Sequence, residues 1–196
     1  MARKSLITRK TTETEIKISL NCDGTGKYDI STGIGFFDHM LEQFAKHSRI
    51  DLQVKAEGDL HIDCHHTVED IGIALGKALK EALGDRQGIN RFAHAYIPMD
   101  ETLTRVCVDL SGRPYLVWKV AFSQDKIGDI DMELFREWFY ALTFNLGANI
   151  NVENLCGVNN HHIIESCYKG LAIAFRNAIR IDKNNKNDIP STKGVL

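Results

Sequence analysis

His65-His66-Thr67-Val68-Glu69 recurs 96 residues later as His161-His162-Ile163-Ile164-Glu165. Each copy opens a stretch with helical periodicity. His65 to Leu83 carries Val68, Ile71, Leu75, Leu79 and Leu83 on one stripe and stops at Gly84, and His161 to Ile181 reads as a second long helix. Before the first copy, Ile16, Ile18 and Leu20 alternate with Lys17 and Ser19 as a half-buried strand, and Asp23-Gly24-Thr25-Gly26 makes a turn. Phe36 to His47 then has helical spacing, and Ile50 to Ala56 alternates again. Before the second copy, Leu103 to Leu110 and Tyr115 to Phe122 read as strands around Ser111-Gly112-Arg113-Pro114. Met132 to Leu146 reads as a helix and Asn149 to Leu155 as a strand. The same order of strands, helix, strand, helix occurs twice, with the same motif at the same point. Internal duplication follows, in an α+β subunit of two similar halves, residues 1–90 and 91–196, each a sheet covered by two helices.

The repeated motif sets a geometric condition. Positions i and i+4 share a helix face, whereas i+1 is turned by about 100°. His65 and Glu69 therefore reach one point and His66 aims elsewhere; His161, Glu165 and His162 repeat the arrangement. Two copies can combine, the i, i+4 pair of one helix meeting the i+1 histidine of the other. A fourth ligand for each point is sought on the preceding helix, at His39 in the first half and Glu137 in the second. A single such motif is more often a solvated helix face, but two at equivalent points have no surface explanation. Imidazoles and carboxylates without thiolate suit Mn²⁺, Fe²⁺ or Zn²⁺. Cys64 reads as a small buried filler off the metal face, and His61 and His94 as ordinary strand or loop residues.

Composition bounds the remaining possibilities. The chain has 196 residues, 24 basic against 26 acidic side chains and a formal net charge of −2. That balance argues against a general nucleic-acid surface. No apolar run approaches the roughly 20 residues of a membrane span, and the polar start Met1-Ala2-Arg3-Lys4-Ser5 predicts no signal peptide. The odd number of cysteines, five and without CxxC spacing, fits reduced thiols in a cytoplasmic protein. Asp182 to Asp188 reads as a solvated connector, followed by the distinct tail Pro190-Ser191-Thr192-Lys193-Gly194-Val195-Leu196.

Six stretches carry a resemblance that spans nearly the whole chain in order. They are Gly33-Ile34-Gly35-Phe36-Phe37-Asp38-His39-Met40-Leu41, Asp63-Cys64-His65-His66-Thr67-Val68-Glu69-Asp70, Pro98-Met99-Asp100-Glu101, Asp109-Leu110-Ser111-Gly112-Arg113-Pro114-Tyr115, His161-His162-Ile163-Ile164-Glu165 and Pro190-Ser191-Thr192-Lys193-Gly194. Together they resemble the imidazoleglycerol-phosphate dehydratases of histidine biosynthesis, in the monofunctional form. The resemblance implies a hydro-lyase that converts imidazole glycerol phosphate to imidazole acetol phosphate. It also implies duplicated halves of the ribosomal-protein-S5-domain-2-like type, two Mn²⁺ per active site, and a 24-subunit homo-oligomer with sites between subunits. The metal ligands it implies are His39, His65, His66, Glu69, Glu137, His161, His162 and Glu165, the set reached from helix geometry. Two positions depart from the common pattern. Glu137 stands where many members carry His and favours harder ions. Cys64 stands where many carry Asp and removes a carboxylate acceptor.

The implied mechanism uses the substrate's own ring. Two Mn²⁺, one at each ring nitrogen, stabilise an imidazolate, which expels the adjacent hydroxyl to a diazafulvene-like species; a base then takes the neighbouring proton. Glu13 and Glu15, read as two residues on one strand face, are near-equal candidates for that base, and the family position selects Glu13. Arg91, Arg113, Ser191 and Lys193 match phosphate-binding positions, and Lys169 is a further candidate. Gln43 and His47, one turn apart on the His39 helix, are placed in the substrate pocket. Two other readings of the duplicated ligands are a binuclear metal hydrolase of a phosphorylated metabolite and a non-catalytic, metal-linked assembly protein.

Overall fold

A computed structural model describes residues 3–196. The first half runs β1 (Lys4–Lys10), β2 (Thr14–Asn21), β3 (Tyr28–Ser31), α1 (Gly35–Ser48), β4 (Asp51–Gly58) and α2 (His65–Leu83). The second runs β5 (Phe92–Met99), β6 (Thr102–Asp109), β7 (Tyr115–Lys119), β8 (Lys126–Ile127), β9 (Ile130–Asp131), α3 (Glu133–Leu146), β10 (Asn149–Cys156) and α4 (Asn160–Ala178). The two main sheets have the same topology, β1-β2-β4-β3 and β5-β6-β10-β7. In each, the last pair is parallel, β3 with β4 and β7 with β10. A parallel pair needs a crossover, and α1 and α3 supply it. The duplication read from the motif is therefore present strand by strand. The small β8–β9 hairpin is an addition to the second half alone.

Each sheet is apolar on one face only. In β2, Thr14, Ile16, Ile18 and Leu20 are buried while Glu15 and Lys17 are exposed. Such alternation means one face meets the core and the other meets water. The helices cover the inner faces, α1 and α2 on the first sheet, α3 and α4 on the second. The helix layers then pack on one another across the halves, α1 on α4 and α2 on α3. The order of layers is sheet, helix pair, helix pair, sheet. One continuous core results, with Phe37, Met40 and Phe44 from one half and Phe135, Trp138 and Tyr168 from the other fully buried.

Several expected boundaries shift. The strand expected over Tyr115 to Phe122 ends at Lys119, because the chain leaves the sheet for the β8–β9 hairpin. The helix expected to reach Ile181 ends at Ala178, and Ile181 instead bridges to Ile89. β1, β3 and β5 are edge or near-edge strands whose outer residues face water, so their apolar alternation is weak. Glu13 and Glu15 do not share a strand face. Glu13 lies in the turn between β1 and β2, and Glu15 lies on the exposed side of β2, paired with Lys10.

Two glycines of α2 set how closely α3 approaches. A Cβ on Gly72 would lie 2.9 Å from both the Ala141 Cβ and the Trp138 carbonyl. A Cβ on Gly76 would lie 2.7 Å from the Leu142 carbonyl. Gly76→Ala gains helix propensity but forces the two helices apart. It is expected to lower stability by about 1–3 kcal/mol, measured by denaturant unfolding; equal or greater stability would show that the contact is slack.

Candidate metal and substrate site

The two histidine pairs start their helices in the same way. The Asp63 side chain accepts a hydrogen bond from the His65 backbone N–H at 2.7 Å, and Asn159, at the matching place, accepts from the His161 N–H at 3.0 Å. These side-chain bonds to the opening backbone, the second of them a true N-cap at Asn159, hold the first turn that presents each imidazole. The cross-packing of α1 on α4 then carries His39 to the second motif. His39 Nε2 lies 3.4 Å and His161 Nε2 2.9 Å from the same oxygen, Glu165 Oε2. Among the described residues, this is the one group of three such side chains whose donor atoms all lie within 4.8 Å of one another.

Glu165 is nearly buried, and burial opposes its charge. The hydrogen bond and charge of Lys169, whose Nζ donates to Oε1 at 2.6 Å, outweigh that cost together with His161 and His39. The carboxyl is held below its usual range. Lys169 thus occupies one oxygen and leaves the other to face the two imidazoles. Two imidazoles and one ionised carboxylate oxygen, within reach of a single point, fit a divalent ion of the Mn²⁺, Fe²⁺ or Zn²⁺ class. Phe36 packs edge-on against His161 at 5.0 Å between ring centroids.

The other ligand candidates stay apart within one chain. His65 Nε2 lies 3.7 Å from Glu69 Oε2, the expected i, i+4 pair. His66 and His162 point elsewhere, as the 100° turn requires. Each is held by a carboxylate that the sequence reading did not pick out. His66 Nδ1 lies 2.9 Å from Asp59 Oδ2, and His162 Nδ1 lies 2.8 Å from Glu101 Oε2. Such partners fix the ring so that Nε2 is directed outward, the arrangement commonly found behind ligating histidines. The Asp59 bond raises the pKa of His66, and the Glu101 bond raises that of His162. Glu101 is held far below its usual range by His162 and by the backbone N–H groups of Asn159 and Val158. Glu101 lies in the Pro98-Met99-Asp100-Glu101 stretch, which by itself gives it no role, and Asp59 carries no sequence signal. Glu137 is half-buried on α3 and bonded to Arg136 at 2.8 Å. Cys64 is only half-buried; its thiol lies 3.7 Å from the Asp129 carbonyl and meets no imidazole, so it is not the enclosed filler expected.

Glu13 reaches this region from the β1–β2 turn. Its Oε1 lies 3.8 Å from His66 Nε2, and its carboxylate accepts no hydrogen bond among the described residues. His47 and Gln43 are half-buried on α1 below His39. Burial lowers the pKa of His47, and the charge of Lys169 adds to it. The phosphate candidates fall in three places. Arg113 and Lys193 line one cavity with Lys80, Arg86 and Ser111. Arg91 makes a two-pronged pair with Asp109, Nε to Oδ1 at 2.7 Å, and donates to the Pro190 carbonyl, directly before Ser191. Lys169 is at Glu165. His61 is an exposed turn residue, and His94 is exposed on β5.

The His162–Glu101 pair gives a pH signature. The depressed Glu101 contributes stability above the ordinary carboxylate value of 4.5, lost as pH falls. The raised His162 contributes fully below the ordinary imidazole value of 6.5, lost as pH rises through its higher folded value. In metal-free protein, the melting temperature difference between wild type and Glu101→Gln is therefore expected to peak between these two values and shrink on either side. A flat difference across that range would remove the pair from the account.

Comparisons with known proteins bear on the family and the fold. The family profile described as imidazoleglycerol-phosphate dehydratase matches residues 32–175. Curated relatives of that name from Rhodopseudomonas palustris and Nitrobacter hamburgensis are each 59% identical over 194 residues, 99% of this chain and 98% of theirs. The crystal structure of the Staphylococcus aureus enzyme of that name superposes with a TM-score of 0.81 at 39% identity, covering 91% of this chain and 100% of that one. The structure from Pyrococcus furiosus gives 0.83 at 38% identity, covering 97% and 100%.

Proposed function

The chain belongs to the imidazoleglycerol-phosphate dehydratase family, a family of hydro-lyases in histidine biosynthesis, and from this we propose a manganese-dependent dehydration of imidazole glycerol phosphate to imidazole acetol phosphate. The observation that carries the reading is the meeting of His39, His161 and Glu165 across the two halves. These three hold one ion. His66, the i+1 histidine of the other motif, completes that point, and His65, Glu69, Glu137 and His162 form the second, both being closed between neighbouring copies in a homo-oligomer of 24 subunits. The two halves, 1–90 and 91–196, act as one subunit, since their core is continuous. No helix among the described residues is long and apolar enough to cross a membrane; the near-neutral charge disfavours nucleic acid, and we place the enzyme in the cytoplasm.

When bound, the ions supply Lewis acidity toward the two nitrogens of the substrate ring. The rest of the chemistry falls to the chain's own residues. The substrate loses the hydroxyl on the carbon beside the ring and a proton from the next carbon. Glu13 takes that proton, since its carboxylate is uncommitted and stands at the edge of the metal region. Glu15 is turned to the outer face and tied to Lys10, which leaves it out of reach. Lys169 keeps Glu165 ionised and aimed; Asp59 and Glu101 keep His66 and His162 in one orientation. Arg113 and Lys193 hold the phosphate, and Arg91 secures the tail at the Pro190 carbonyl, directly before Ser191.

Two experiments test the reading. Chelation is expected to abolish conversion of imidazole glycerol phosphate to imidazole acetol phosphate, and Mn²⁺ add-back to restore it. No product from Mn²⁺-loaded protein would end the proposal. Glu13→Gln is expected to keep metal content and substrate affinity while lowering kcat by about 10²–10⁴-fold. Turnover at the wild-type rate would move the base elsewhere.

A further inference from the structure

Asp70 follows Glu69 on α2, but its side chain turns inward and is only 8% exposed. One oxygen, Oδ1, accepts from Arg9 Nε at 2.9 Å and Nη2 at 2.7 Å. The other, Oδ2, accepts from the buried Thr14 hydroxyl at 2.6 Å. Arg9 is near the end of β1 and Thr14 is the first residue of β2. The two donors therefore stand on either side of the turn that contains Glu13. A single carboxylate on the metal helix ties down both legs of that turn. A further bond, from the Asp59 N–H to the Glu13 carbonyl at 3.1 Å, fixes its backbone.

The second half shows what this arrangement is for. Glu101 is the counterpart of Glu13, each directly preceding the second strand of its sheet. Glu101 anchors its own turn: Oε1 accepts from the N–H groups of Val158 at 3.1 Å and Asn159 at 2.8 Å, and Oε2 faces His162. The counterpart of Asp70, 96 residues on, is Ser166. It bonds Thr104 in mid-strand at 2.6 Å and makes no bond to the turn. So one half anchors the turn through the turn's own glutamate, and needs no ion pair behind it. The other half leaves the glutamate free and anchors the turn from the helix. A carboxylate that must accept a proton cannot also serve as the hydrogen-bonded anchor of its own loop. The Ser166 side also shows that the fold is compatible with a neutral bond at this place. A nearly buried charge that is costly to desolvate, and costly to break, is therefore explained by direction rather than by folding.

We propose that Asp70, with Arg9 and Thr14, is a positioning residue that holds the Glu13 carboxylate against the metal helix. This rests on Glu13 being the base, so the test separates the two. Wild type, Thr14→Val, Asp70→Asn, Glu13→Gln and the doubles with Glu13→Gln are compared for kcat, KM and bound Mn²⁺. Asp70→Asn is expected to lower kcat by about 10–100-fold, the penalty of a small misplacement of a reacting group. Thr14→Val, which leaves the Arg9 pair in place, is expected to lower kcat less; KM and Mn²⁺ content stay unchanged in both. In the Glu13→Gln background neither substitution is expected to lower kcat further, because there is no base left to misplace. The same fall in both backgrounds, an unchanged kcat in the single variants, or a loss of Mn²⁺ that accounts for the fall would overturn the positioning role while leaving Glu13 as base. Wild-type kcat in Glu13→Gln would overturn the base itself, and the positioning role with it. Should Asp70→Asn fail to fold, Thr14→Val alone decides between these outcomes.

Discussion

The packing of helix on helix across the two halves is the constraint from which the site follows. α1 lies on α4 and α2 on α3, so each half's crossover helix meets the other half's motif helix. Were each half to cover its own sheet and stop there, His39 would face the helix of its own half. Instead it shares Glu165 Oε2 with His161, 126 residues away in sequence from His39 to Glu165. The glycines at 72 and 76 permit the close approach on the α2–α3 side. On the α1–α4 side the contact is made by aromatic rings, Phe44 against Phe175 at 6.3 Å and Phe36 against His161. Dense packing of this kind fixes the ligands to the same degree that it fixes the core.

The duplication was legible because it depends on local signals. The HHxxE repeat, the apolar stripes of α2 and α4, and the alternation of Ile16, Ile18 and Leu20 are all set by periodicity within a few residues. Less was legible where the determinant was distant. β1, β3 and β5 border the sheets and expose apolar Leu6, Tyr28, Phe92 and Tyr96 beside polar residues, so no polar–apolar alternation marked them. Glu13 and Glu15 looked equivalent by number, yet a turn begins between Lys10 and Thr14 and sends them to different surroundings. That His39 meets the second motif, and that Asp59 and Glu101 stand behind His66 and His162, depends on contacts across the fold, and the latter two are carboxylates among many in the chain.

Within one chain only three of the eight ligand candidates converge. The others are not loose. His66 and His162 are each fixed at Nδ1 by a carboxylate, and Glu69 lies beside His65. Ligands held in place before they meet lower the entropy cost of completing a site when a second surface arrives. If the site is completed between copies, as proposed, ion binding and association support one another, because each supplies what the other lacks.

A duplicated chain begins with two equal halves, and an active site that binds an asymmetric substrate needs them to differ. The difference here lies in how two equivalent glutamates are used. Glu101 is bonded by two backbone N–H groups, the Thr102 hydroxyl and an imidazole, which holds it ionised and still. Such a carboxylate is a poor proton acceptor, since protonation would break those bonds. Glu13 makes none of them, and its place is secured from behind by Asp70, Arg9 and Thr14. If Glu13 is the base, as proposed, moving the anchor from its carboxylate to a neighbouring one separates two demands that a single group cannot meet, being firmly bonded and being available. On the proposed assignment of Glu13 as base, the charged anchor sits in the half that supplies the base, and the neutral Ser166–Thr104 bond in the half that does not.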